Sequence, residues 1–276
     1  MRSSMKKAGV TAVLVLIAAT ISACGWMYTK DYSEEVQENE IDLPEDETEG
    51  SGNIGEGFGS RQTQGFAGES TQDAQIDFSA LREKNPDIFA WIYIPDTAID
   101  CPVLQSEQSD TYYEDHNAYG EEDDTGAVYI ELANLTSMCD FNTVLHGKTG
   151  ADEKGLFADL YRFADPDFFA GHEYAYVYLD GNVLTYEIFA AYERENTSLI
   201  RTYDFTYLSG CDKFLDDLYG TRDMTMNLRE GWDNLSAYSY LITLTTQREP
   251  DAESQFVVIA ALVQDEAGTI SRVVTE

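Results

Sequence analysis

Two apolar segments near the end of the chain most constrain its fold. Residues 241–247, Leu-Ile-Thr-Leu-Thr-Thr-Gln, come after Ala237-Tyr-Ser-Tyr240 and stop at the polar run Arg248-Glu-Pro-Asp251. Residues 256–263, Phe-Val-Val-Ile-Ala-Ala-Leu-Val, come shortly after that run. Both are apolar and β-branched with little alternation, the pattern of buried strands, and the short polar link makes them a hairpin. Residues 174–179 and 183–191 share this β composition, and Asp180-Gly181-Asn182 between them is a strong turn signal. Helical signals are fewer. Pro86 disfavours helical geometry at Asn85 and so stops any helix running through Leu81. Residues 155–163 and 165–170 suit short helical turns. Residues 209–219 are amphipathic, with Phe214, Leu215 and Leu218 on one face and Ser209 or Asp212 placed to cap.

The first 75 residues have a different character. Arg2, Lys6 and Lys7 precede an apolar or small stretch, residues 10–23, closed by Ile21-Ser-Ala-Cys24-Gly25. This is either a bacterial lipoprotein signal, with Cys24 lipidated, or an uncleaved anchor continuing through Trp26 and Met27. Both place the rest of the chain outside the cytoplasm. Residues 31–50 are rich in Glu and Asp without a basic residue, and residues 51–75 are rich in Gly, Ser and Gln. Such composition buries too little apolar surface to offset ordering entropy, so residues 25–75 are expected to be a disordered tether. Residues 76–276 are comfortable for one domain with a full core. The net charge of -34 argues against nucleic acid or anionic lipid as a partner and leaves basic partners open.

Several short landmarks occur in order. Residues 81–95 contain Asn85-Pro-Asp87 and end in Ile94-Pro95; Ile99-Asp-Cys-Pro-Val-Leu104, Tyr112-Tyr113 and Gly126-Ala-Val-Tyr-Ile130 come next. Then come Asn142-Thr-Val-Leu-His-Gly-Lys148, Gly155-Leu-Phe-Ala-Asp-Leu160 and Thr243-Leu-Thr-Thr-Gln247. Together these resemble the class B sortases, cysteine transpeptidases that cut a surface protein's sorting signal and join it to an amine. The resemblance implies a mainly β fold: a closed mixed barrel of about eight strands with peripheral helices. It also implies a groove beside residues 148, 247 and 255, and no cofactor. Three scattered histidines and no CxxC pair offer no metal-ligand spacing either.

The family's catalytic residues are a histidine after Tyr-Gly, a cysteine ending Thr-Leu-X-Thr-Cys, and an arginine opening the last strand. The matching positions here hold Lys148, Gln247 and Gln255. An amide nitrogen delocalised into its carbonyl cannot replace a thiolate nucleophile. A lysine with an ordinary pKa of about 10.4 is a poor proton donor and acceptor near neutrality. A neutral glutamine donates a hydrogen bond without charge. The expectation is therefore a non-catalytic member of the family that binds a sorting-signal peptide, a pilin or a peptidoglycan component, or that presents substrate to an active sortase. His146, Lys148, Thr246, Gln247 and Gln255 are its groove candidates. One alternative is an active transpeptidase with relocated residues, such as Cys101 with His146; another is a structural acidic lipoprotein with a closed groove. Cys101 is most simply a small core residue, while Cys139 and Cys211 are candidates for a disulfide whose connectivity the sequence leaves open.

Overall fold

This computed structural model describes residues 76–150, 155–221, 225–248 and 252–272. The leader, Cys24 and the expected tether lie outside the described residues. The strands are β1 (Ile88–Tyr93), β2 (Asp100–Leu104), β3 (Val128–Tyr129), β4 (Asn142–His146), β5 (Tyr174–Leu179), β6 (Asn182–Glu195), β7 (Asn227–Leu228), β8 (Leu241–Thr246) and β9 (Ser254–Asp265). Their hydrogen-bonded order is β5-β1-β2-β3-β4-β8-β9-β6, and β6 pairs back onto β5. Eight strands thus close into a barrel, with the short β7 attached to β6. The β2–β3 and β4–β8 pairs are parallel and the others antiparallel, which is the mixed barrel the resemblance implies.

The β8–β9 hairpin forms as the sequence suggests, with Thr246 opposite Phe256. Its apolar continuity has a simple cause. Ile242, Leu244, Phe256, Val258 and Ala260 fill the barrel interior together with Val103, Val128, Leu145, Phe157 and Ile188. Leu241, Val257, Ile259 and Ala261 face outward beneath a helix, α4 (Leu208–Gly220). A wall strand covered on both sides cannot alternate. Each buried Leu, Val, Ile or Phe contributes about 1.5–3 kcal/mol, so the hairpin anchors both layers.

The other helices are α1 (Phe78–Lys84), α2 (Pro166–Gly171) and α3 (Leu199–Thr202), with a 3-10 turn over Ala158–Ala164. Asp77 caps α1 through Ala80 N, and α1 ends at Asn85 as Pro86 requires. Asp165 caps α2 and Ser198 caps α3. In α4, Phe214, Leu215 and Leu218 are buried as the amphipathic pattern indicates. Its start differs from expectation: Tyr207 is the N-cap, without a side-chain bond, and Ser209 and Asp212 lie inside the helix. In the first turn Gly210 abuts Asp204 so closely that an added Cβ would sit 2.0 Å from its carbonyl oxygen. β6 is also longer than residues 183–191, since it pairs with β5, β7 and β9 in turn and bulges near Tyr186 and Ala190 to do so.

The three cysteines of the domain are all free, so the disulfide considered for Cys139 and Cys211 does not form. Cys211 packs under the outer face of the wall and Cys101 lies in the interior cluster.

Candidate functional site

Three neighbouring strand ends build the site. β4 and β8 run parallel with His146 opposite Thr245, and Gly147 N donates to Thr245 O at 3.2 Å. Continuing the two registers sets residue 148 beside 247 and residue 247 beside 255. Gln255 in turn lies directly opposite Arg194 on β6. On those registers Lys148 and Gln247, just past the ends of β4 and β8, fall in line with Gln255 on β9 and Arg194 on β6, a row at one end of the sheet. Side chains alternate faces along a strand, and Leu244 and Leu145 point inward, so this row belongs to the outer face of the wall.

Each member of the row has its own partners. Lys148, half-buried, donates from Nζ to Asp124 O at 3.2 Å. Hydrogen bonds from Thr125 hold the nearby Asp123 carboxyl below its usual range, with a smaller contribution from the Lys148 ammonium. Gln247 accepts at Oε1 from Asn196 Nδ2 at 2.7 Å. Gln255 is only 8% exposed: its Oε1 accepts from Thr245 Oγ1, and its Nε2 donates to Glu195 O at 3.2 Å and Thr197 O at 2.9 Å. Arg194 donates from Nη1 to the same Thr197 carbonyl at 2.7 Å.

His146 is on the same outer face, two residues before Lys148. Its ring stacks on Tyr129 with centroids 5.1 Å apart, and its Nε2 lies 3.3 Å from Glu131 Oε1. That imidazole holds the Glu131 carboxyl below its ordinary range against the opposing effect of burial. Thr246 is placed differently. It is buried on the inward face, with its hydroxyl 2.7 Å from that of Thr149.

The backbone around Lys148 depends on two glycines. Gly147 lies under Phe157, whose ring would be 2.6 Å from an added Cβ, and a Cβ on Gly155 would be 2.1 Å from Lys148 O. Gly155 N donates to Thr149 O and Phe157 N to Lys148 O, so the 155–157 turn fixes where residue 148 emerges. The Arg248 guanidinium, next to Gln247, lies 4.1 Å from the Tyr161 ring centroid, and the Tyr161 ring packs at a tilt against Phe256.

Two of the domain's three free thiols, Cys101 and Cys211, are buried. Burial pushes the Cys101 thiol far above its ordinary value, and Cys101 points into the barrel while His146 points out of it. Burial likewise raises the Cys211 thiol. Among the described residues no group of three or more His, Cys, Asp or Glu side chains is arranged to hold a metal ion. Two shallow concavities, one by Asp96, His172 and Tyr176 and a larger one of about 320 Å³ by Tyr219, Leu228 and Trp232, lie away from this row.

The residues that sequence reasoning did not single out are Thr149, Arg194, Asn196 and Thr197. The polar stretch after β6 looks like any strand exit, and only the register of β6 against β9 brings it to Gln255.

The closed eight-stranded mixed barrel matches the sortase fold. The chain is 31% identical over 182 residues to sortase B of Listeria monocytogenes, covering 65% of this chain and 70% of that protein. Its structure matches Clostridium perfringens sortase B with a TM-score of 0.59 and 25% identity, over 67% of this chain and 99% of that one. A Staphylococcus aureus sortase B-substrate complex matches with a TM-score of 0.57 and 23% identity, over 68% of this chain and 84% of that one. No family model matches the sequence. The chain belongs to the class B sortase family.

Proposed function

We propose that this chain is a pseudosortase: a sortase-fold protein that binds a peptide or cell-wall component without cutting it. The observation that carries this reading is the row Lys148, Gln247, Gln255, standing on adjacent strand ends where the family's histidine, cysteine and arginine are expected. Gln247 offers no nucleophile, and the buried thiol of Cys101 faces the wrong side of the wall. When several members of a cooperating unit are lost, little turnover remains to select for. The natural occupant is a sorting-signal peptide, by analogy with the substrate-bound S. aureus relative; a pilin or a peptidoglycan fragment fits the same reading. The arrangement we propose is a leader or anchor over residues 1–24, a tether over 25–75 and the barrel domain over 76–276, held at the outer face of the cell membrane, where it can hand substrate to an active sortase.

The test uses the full chain with a fluorescent sorting-signal peptide and hydroxylamine as acceptor. Saturable binding without hydroxylamine-dependent cleavage is expected; cleavage by the purified protein overturns the reading. One observation favours a purely structural role instead, the near-complete burial of Gln255 beneath residues 195–197. Absence of binding to any of the three ligand classes would support that role.

A further inference from the structure

The end of β6 folds over the row and is held there by an unusual concentration of polar contacts. Asn196 Nδ2 donates to both Gln247 Oε1 and Ala252 O, at 2.7 and 2.9 Å, while Asn196 N donates to Glu253 O at 2.9 Å. Gln255 Nε2 grips the carbonyls of Glu195 and Thr197, and Arg194 holds Thr197 through both its carbonyl and its hydroxyl. Thr245, beneath, fixes the Gln255 amide by donating to Oε1. An amide reaching two carbonyls at i and i+2 is how a side chain grips an extended peptide, and here the gripped peptide is the chain itself. Residues 195–197 thus close over Gln255, and the Asn196 side chain reaches across to Gln247.

We propose that the 195–197 corner is a latched cover and that Asn196 is its latch: the glutamines that stand at 247 and 255 hold the corner closed, and an extended peptide enters the row only when the corner lifts. This inference rests on the peptide-binding reading above. Several features make opening local. The corner's hold is polar and lies at the end of the ladder, whereas the adjoining strands are fixed by apolar packing on both faces. An incoming peptide would supply the carbonyls that the corner gives up, so the exchange of hydrogen bonds is nearly balanced.

Asn196→Ala removes both side-chain latch bonds and leaves the row itself intact. In the full chain, hydrogen exchange at residues 196–202 should quicken at least tenfold while β8 and β9 core amides keep their protection. Affinity for a fluorescein-labelled synthetic sorting-signal peptide should rise at least fivefold. Asn196→Asp, which can accept but not donate these bonds, should behave like the alanine variant. Unchanged exchange would overturn the latch. Faster exchange with unchanged or weaker peptide binding would overturn the cover, because an open corner would then bring the peptide no advantage. Faster exchange with no peptide binding to either protein would sink the peptide-binding reading and the cover with it, leaving the corner as a fold-stabilising clasp only.

Discussion

Thr149 and Thr246 meet through their hydroxyls at 2.7 Å, buried within the barrel wall directly behind Gln247. Residues 97 positions apart are joined by this one bond, which couples the turn after β4 to the end of β8. Replacing one partner by valine strands the other without water. Thr149→Val or Thr246→Val should each cost about 1–3 kcal/mol, whereas the double variant should cost clearly less than their sum. Urea denaturation of the four proteins in the cycle checks this; strict additivity would mean the bond is not made.

Gly155 carries a comparable constraint in the backbone. Its α-carbon sits against Lys148 O, where a methyl group has no room, and the obstacle is backbone that cannot swing aside. Gly155→Ala should therefore lose about 2 kcal/mol or more. Gly171, with open space around its α-carbon, should tolerate alanine with no loss. Thermal melts distinguish them, since 1 kcal/mol shifts the midpoint by about 2–4 °C in a domain of this size.

Glu131 gives the domain an acid-sensitive contact. The neighbouring His146 lowers its carboxyl relative to the unfolded chain. A carboxyl depressed in the folded state adds stability that is complete above the ordinary glutamate range and fades as the pH falls through the lowered value. Wild type should then exceed Glu131→Gln in urea midpoint at about pH 6, with the gap closing towards about pH 3. Parallel curves over that range would show that the imidazole contributes nothing.

Restoring the chemistry should need more than restoring the nucleophile. Gln247→Cys alone gives a thiol without a proton-transfer partner at 148 or a cation at 255, and its hydroxylamine-dependent cleavage should stay within tenfold of background. Adding Lys148→His and Gln255→Arg should raise it beyond that limit, sensitive to thiol alkylation. Comparable activity in the single and triple variants would mean that these positions are not the family's catalytic set.

The wall of the barrel was readable because it obeys one rule: segments buried on both faces must be apolar throughout, and 241–246 and 256–262 are largely so. The turn at Asp180-Gly181 announced itself through Gly181, which takes φ +83°. The three row positions were singled out by their places in ordered motifs, and extending the strand registers brings them into line. Their partners were not legible. Asn196 and Thr197 reach the row only through the pairing of β6 with β9 and the corner beyond it, and no local pattern records that. Thr246 illustrates a related limit. It is adjacent to Gln247 in sequence, yet strand alternation sends its hydroxyl through the wall to Thr149. The capping residues of α4 were also misplaced: the helix begins at Leu208 after Tyr207, with Ser209 and Asp212 inside it.

The parallel seam between β4 and β8 has a consequence for how the protein comes into being. Parallel neighbours cannot meet through a tight turn, and this pair encloses α2, β5, β6, α3, α4 and β7 in the intervening chain. Loop-closure entropy must be met before the seam rewards it, and the row needs that long-range closure. A polypeptide released before residue 241 can build local hairpins such as β5–β6, but it lacks β8 and β9 and so has no row. The row is therefore a property of the finished chain alone.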